Sequence, residues 1–146
     1  MNYDNWGSWS NAVGPNAALD DSCSPSPQGF SAKSAVKGWT KAGFPAHKIV
    51  LGVAAYGHSY HVDKSQAYAS PNKLKLYAPF DKTKQPAGDK WDSIAGETDQ
   101  CGQPTAVGGV FNFWGLVQAK FLKADGTPAN GIDYTIDTCS QTVSDL

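Results

Sequence analysis

The sequence predicts an α/β fold built on a parallel sheet, and three observations predict it. Residues 49–55 form an unbroken apolar run, Ile-Val-Leu-Gly-Val-Ala-Ala, that ends at Tyr56-Gly57. Continuous apolar character, rather than alternation, suits a strand buried on both faces of a sheet covered by helices. Upstream, Ala32, Ala35, Val36 and Trp39 recur at the spacing of one helical face. A strand end at residues 1–4, Met-Asn-Tyr-Asp, precedes both, giving the strand–helix–strand order of a βαβ unit.

Each element has its own signals. Residues 2–30 are dense in Asn, Ser, Gly and Pro with Trp6 and Trp9 embedded, which predicts a long strand-to-helix loop. Two tryptophans in such a loop either pin it to the fold or face a ligand. The helix over residues 31–42 is capped by Ser31 and closed by Lys41 and Gly43, and Pro45 stops it. His47-Lys48 then lead into the apolar strand. In parallel sheets ligands collect beyond the carboxyl ends of the strands, so Tyr56, His58 and Tyr60 stand where a site would be built. Residues 61–102 turn polar, with short aromatic punctuation, and predict short β-like elements. Residues 111–122 place Phe113, Trp114, Leu116, Val117, Phe121 and Leu122 on one broad helical face, to be buried as a core. Asp125-Gly126-Thr127-Pro128 reads as a turn and residues 131–136 as a strand.

Composition narrows the partners. At 146 residues the chain can bury one core. A formal net charge of −1 with scattered lysines leaves no basic stripe for nucleic acid. No apolar run approaches the roughly 20 residues of a membrane span, and the amino terminus carries no secretory signal pattern. Three cysteines leave one unpaired. Cys101 and Cys139 clip one unit if the fold brings their Cα atoms within about 7 Å, and Cys23 is then exposed or bonded elsewhere. Three small reduced thiols in an intracellular protein remain the other reading.

Taken in order, Met1-x-Tyr3-Asp4, the helix, and Gly52-Val53-x-x-Tyr56-Gly57 resemble the sixth and seventh barrel strands of glycoside hydrolase family 18, the chitinases. Gly109-Val110-Phe111-Asn112-Phe113-Trp114 and Gly131-Ile132-Asp133-Tyr134 resemble the small inserted domain of fungal-type members, so the resemblance covers nearly the whole chain. It implies part of a (β/α)8 TIM barrel over residues 1–60, an inserted α+β domain over 61–140 and a return toward the barrel over 141–146. A complete barrel needs roughly 200 residues or more. The amino-terminal half of the barrel is therefore an expected partner, and Met1 coincides with the motif methionine.

The resemblance also implies chemistry. Family 18 hydrolyses β-1,4 bonds between N-acetylglucosamine units by a substrate-assisted route, in which the acetamido oxygen attacks the anomeric carbon. No cofactor or metal is required. Tyr3 would donate to the acetamido oxygen, Asp4 would accept from the sugar, and Met1 would line a floor for the acetyl methyl. Tyr56 and His58 would stand at the cleft rim, with Trp6 or Trp9 as stacking faces. The ligand is then chitin or a chito-oligosaccharide, and the setting extracellular. The family's general acid ends an Asp-x-x-Asp-x-Asp-x-Glu run, and no such run occurs here. Glu97, the sole Glu, lacks the aspartate ladder whose alternate residues face one side and raise the last carboxyl toward working pH. The implied catalytic acid is thus not among these residues, and a sugar-binding, non-cleaving protein of the same fold, or a remnant without function, are the alternatives.

Overall fold

The computed structural model describes residues 1–25 and 30–145. Residues 26–29 of the predicted loop and the last residue of the predicted 141–146 segment lie outside the described residues.

The helix forms where its signals stand. Helix α1 spans Ala32–Lys41, and Ser31 caps it by accepting from the Ser34 amide while Ser34 returns a bond to the Ser31 amide. Ala42 ends it and Gly43 follows at φ +91°, the left-handed residue that closes a helix without a Cβ penalty. A 3-10 turn, Ala46–Lys48, then leads to the apolar run.

That run is extended and parallel to the chain start. The Asn2 amide donates to the Gly52 carbonyl at 3.0 Å, and Asn2 and Val53 form a parallel bridge. Pairing stops there, so the predicted strand over 49–55 is a single bridge. The expectation of burial on both faces is also corrected: Val50 is 92% exposed and Val53 74%. Ile49, Gly52 and Ala54 are half-buried, so cover is confined to part of the run. The predicted inner face of α1 shares this condition, with Ala32 buried but Trp39 61% exposed.

Ladder pairing begins one step later. Strand β1, Tyr56–His58, pairs antiparallel with β4, Val110–Asn112, in the register Tyr56 to Asn112 and His58 to Val110. The Phe113 amide extends the ladder to the Ala55 carbonyl. Between them lie a short helix α2, Lys64–Ala67, and the hairpin of β2, Tyr68–Ser70, with β3, Lys73–Leu74. The predicted 12-residue helix over 111–122 contracts to α3, Phe113–Gln118. Its first residues join β4 instead, because Asn112 caps the helix by accepting from the Gly115 amide at 2.7 Å. Lys120 at φ 65° closes the other end. Phe113 and Trp114 are 41% and 58% exposed, which corrects their assignment to the core. Phe121, expected on that buried face, meets Phe111 edge to face at 5.9 Å, and both are half-buried.

The chain finishes in the hairpin of β5, Tyr134–Asp137, and β6, Thr142–Asp145. Residues 142–145, expected to return toward a barrel, pair with β5 in this hairpin. The disulfide differs too. Cys23 bonds Cys139, with Cα atoms 6.3 Å apart, and Cys101 is a free, exposed thiol. Cys101 projects from a turn closed by a bridge between Thr98 and Pro104, whereas the Leu19 amide bonds the Ser140 carbonyl and brings Cys23 against the 138–141 turn. No helix among the described residues is long and apolar enough to cross a membrane.

Candidate functional site

Four of the predicted site residues meet where the first strand segment ends and β1 begins. Asp4 adopts φ 56°, a left-handed conformation that turns its side chain back toward β1. Alternation along β1 points Tyr56 and His58 to one side, and both reach the same atom. The Tyr56 hydroxyl donates to Asp4 Oδ1 at 2.8 Å, and His58 Nε2 lies 2.9 Å from that oxygen. Among the described residues no hydrogen bond reaches Oδ2, and the Asp4 side chain is 43% exposed against 17% for His58. One carboxylate oxygen is held and the other is open.

Aromatic contacts fix the surroundings. Tyr3 meets Tyr56 edge on at 6.2 Å, and Tyr56 meets His58 edge on at 5.8 Å. The Tyr3 ring rides over Gly52, where a Cβ would lie 3.1 Å from Tyr3 Cε1. Burial, and then the bond to Asp4, push the Tyr56 phenol up to about 12. Tyr60 is likewise raised to about 12, chiefly by burial and then by the Asp4 charge. Both remain neutral hydroxyls through the physiological range. Beside the cluster opens a mainly apolar cavity of about 430 Å³ bordered by Asn16, His58, Tyr60, Phe111 and Leu116.

Two expected contributors are not with them. Met1, expected to line an apolar floor, is 91% exposed among the described residues. Trp6 is 3% exposed, its ring lying over Gly14 and against Tyr77 at 5.4 Å. Its faces are spent on packing, which corrects its role as a stacking face: it pins the loop. Trp9, 60% exposed, keeps its indole open over Gly7 while Lys82 Nζ bonds its carbonyl at 3.1 Å. Glu97 stays an exposed loop residue, held through its carbonyl by the Thr105 amide at 2.8 Å. Among the described residues no group of three or more His, Cys, Asp or Glu could hold a metal. Sequence reasoning missed Asn16, which bonds both the Asp4 amide and the Tyr56 carbonyl. Its place after Gly14-Pro15 in a turn-rich loop carried no signal of that role.

The cluster is a hydroxyl-bearing aromatic edge beside a carboxylate held through one oxygen. Comparison with known proteins supplies the class. The sequence profile described as Glycosyl hydrolases family 18 matches residues 1–140, and the chain belongs to that family. A "chitinase-like effector" of Moniliophthora roreri is 52% identical over 145 residues, 97% of this chain and 35% of that protein. A chitinase structure from Rhizomucor miehei superposes with a TM-score of 0.74 at 28% identity, covering 100% of this chain and 37% of the other. A family 18 chitinase from Cycas revoluta in complex with (GlcNAc)3 shares the fold, with a TM-score of 0.61 at 23% identity over 100% of this chain and 31% of that one. The chain thus spans about a third of the length of the relatives it matches.

Proposed function

We propose that this chain carries the N-acetylglucosamine-positioning part of a family 18 site, with chitin or chito-oligosaccharide as its ligand. The observation that carries the reading is the Asp4 carboxylate, anchored through Oδ1 by Tyr56 and His58 and open at Oδ2. In a substrate-assisted reaction the protein must aim the acetamido group, and an open carboxylate oxygen beside a tyrosine hydroxyl does this. Asp4 Oδ2 accepts from the acetamido N–H or a sugar hydroxyl, and Tyr3 donates to the acetamido oxygen. Trp9 replaces Trp6 as the stacking face. Residues 1–60 supply the sixth and seventh strand segments of the barrel, and the unit from residue 61 onward is the inserted domain. The Cys23–Cys139 bond supports an oxidising, extracellular setting.

Hydrolysis needs an acid that the described cluster does not supply, and Glu97 lacks the neighbours that would tune it. The 146-residue chain is therefore expected to bind without cleaving. Titration with chitotetraose, followed by tryptophan fluorescence and calorimetry, tests this, with cellotetraose as the control lacking acetamido groups. Saturable binding of the first and not the second, weakened on the order of ten- to a hundredfold in Asp4→Asn, is the expected result. Equal binding of both sugars, or of neither, would overturn it. A second reading, a chitin-binding protein without catalysis, is favoured by the word "chitinase-like" in the name of the 52% identical relative. Reading any longer product of the same gene for the Asp-x-x-Asp-x-Asp-x-Glu run separates the two.

A further inference from the structure

We infer that Asn16 is a positioning residue for the sugar-binding carboxylate: its side-chain amide ties the end of the first strand segment to β1 and so sets where Asp4 Oδ2 is presented. The inference rests on the role given to Asp4 above. Asn16 Oδ1 accepts from the Asp4 amide at 3.0 Å, and Asn16 Nδ2 donates to the Tyr56 carbonyl at 3.1 Å. The same residue's carbonyl accepts from the Asn5 amide at 3.3 Å. It therefore addresses, from the backbone side, both residues that make the Tyr56-to-Asp4 hydrogen bond.

Asp4 needs such a hold. A non-glycine residue at φ 56° sits in a sparsely populated well and stays there when its surroundings over-determine it. The Asn16 acceptor on the Asp4 amide is one of those determinants. A carboxamide carries an acceptor and a donor on separate atoms of one short side chain; ionised aspartate accepts only, and a serine hydroxyl must do both from one atom that reaches less far. The support beneath Asn16 is firm. Pro15 is buried, the Trp6 ring covers Gly14, and the Val13 amide bonds the Ala78 carbonyl at 2.8 Å. Release of the amide lets Asp4 relax, and the held and open carboxylate oxygens then exchange.

The test uses the full 146-residue chain with 13C-labelled tyrosine. The Tyr56 13Cζ signal reports its hydrogen bond to Asp4, and Asp4→Asn and Tyr56→Phe serve as references. In Asn16→Ala the signal is expected to move toward its position in Asp4→Asn, with chitotetraose affinity falling roughly three- to tenfold. The double variant Asn16→Ala/Tyr56→Phe should bind no more weakly than the poorer single one, because both act through one bond. Asn16→Asp is nearly isosteric and keeps the acceptor for the Asp4 amide, so it serves if alanine impairs folding; its signal should move partway. A folded variant whose Tyr56 signal stays at the wild-type position overturns the inference. A moved signal in a chain that binds no chitotetraose would remove the sugar reading and leave the hold of Asn16 on Asp4 standing.

Discussion

Asp4 carries two inequivalent oxygens, and that asymmetry makes its substitution informative. Asp4→Asn keeps the shape but exchanges a charged acceptor for an amide, weakening the Tyr56 and His58 bonds as well as any bond to a sugar. A hydrogen bond to a charged group is worth about 1.5–3 kcal/mol, so chitotetraose affinity should fall on the order of ten- to a hundredfold by calorimetry. Tyr56→Phe removes one anchor and leaves His58 in place, so its effect should be smaller. Other carboxylates set the response to acid. Asp20 is held well below the usual carboxylate range by the Lys33 ammonium and the Ser22 amide. Asp81 is lowered to about 2 by the Thr83 hydroxyl and amide, with Lys84 adding to them. In Asp137 burial pushes upward, but the Ser140 hydroxyl and the Cys139 amide outweigh it and the net direction is down. A carboxyl lowered in the folded state adds stability above its unfolded value of about 4, and loses it as pH falls toward the folded value. The melting temperature should therefore hold near neutrality and drop between about pH 4 and pH 2. Asp20→Asn should remove part of that drop, and a melt indifferent to pH over this window would contradict the assignment.

At the scale of elements, the Cys23–Cys139 bond closes a sequence separation of 116 and joins the loop after Asp4 to the turn between β5 and β6. Loop-closure entropy for a loop of that size gives an upper figure of about 4–5 kcal/mol, and native disulfides typically contribute about 2–5. Cys139→Ser, or mild reductant, should lower the melting temperature clearly, while Cys101→Ser should leave it unchanged. An equal effect of the two substitutions would contradict the connectivity. How legible each element was follows from where its determinants lie. Helix α1 was readable because Ser31, Lys41 and Gly43 act within a few residues of what they terminate. The extended run over 49–55 is legible from apolar continuity, but how little of it pairs is not: only Asn2 and Val53 bridge. The contraction of the 111–122 helix was not legible, since residues 110–112 are claimed by a partner strand more than fifty residues away, which local periodicity does not record. The same holds for Cys139: two cysteines in one half of the sequence looked like partners, but the Leu19–Ser140 contact decided the pairing. Within the site, Tyr3, Asp4, Tyr56 and His58 came from a motif with local order. Trp6 and Asn16 depended on how a long loop folds back, and so the first was misassigned and the second missed.

The molecule as a whole is stitched by backbone bonds and small buried side chains more than by a large apolar centre. Trp6, Ala18, Ala32, Ala67, Leu74 and Ala78 are buried apolar residues among those described, along with Pro15, and of these only Trp6 and Leu74 are large. Meanwhile Phe30, Trp39 and Phe44 around α1, and Val50, Leu51 and Val53 on the extended run, stand 42–92% exposed. These residues lie on the segments that the βαβ pattern marks as inward-facing, which is why the pattern predicted burial the structure does not show. Contiguous apolar surface of this kind, next to strand backbone paired on one side only, favours association. In solution the isolated 146-residue chain is expected to bind a hydrophobic dye strongly and to run larger than a monomer at micromolar concentration. Val50→Lys and Val53→Lys introduce charge on the exposed run without touching the Asp4 cluster, so they should reduce dye binding and restore monomer while leaving chitotetraose affinity intact. Light scattering coupled to size exclusion reads the first effect and calorimetry the second. A wild-type chain that elutes as a sharp monomer, binds no dye and melts cooperatively would show that these faces are tolerated by the fold as it stands.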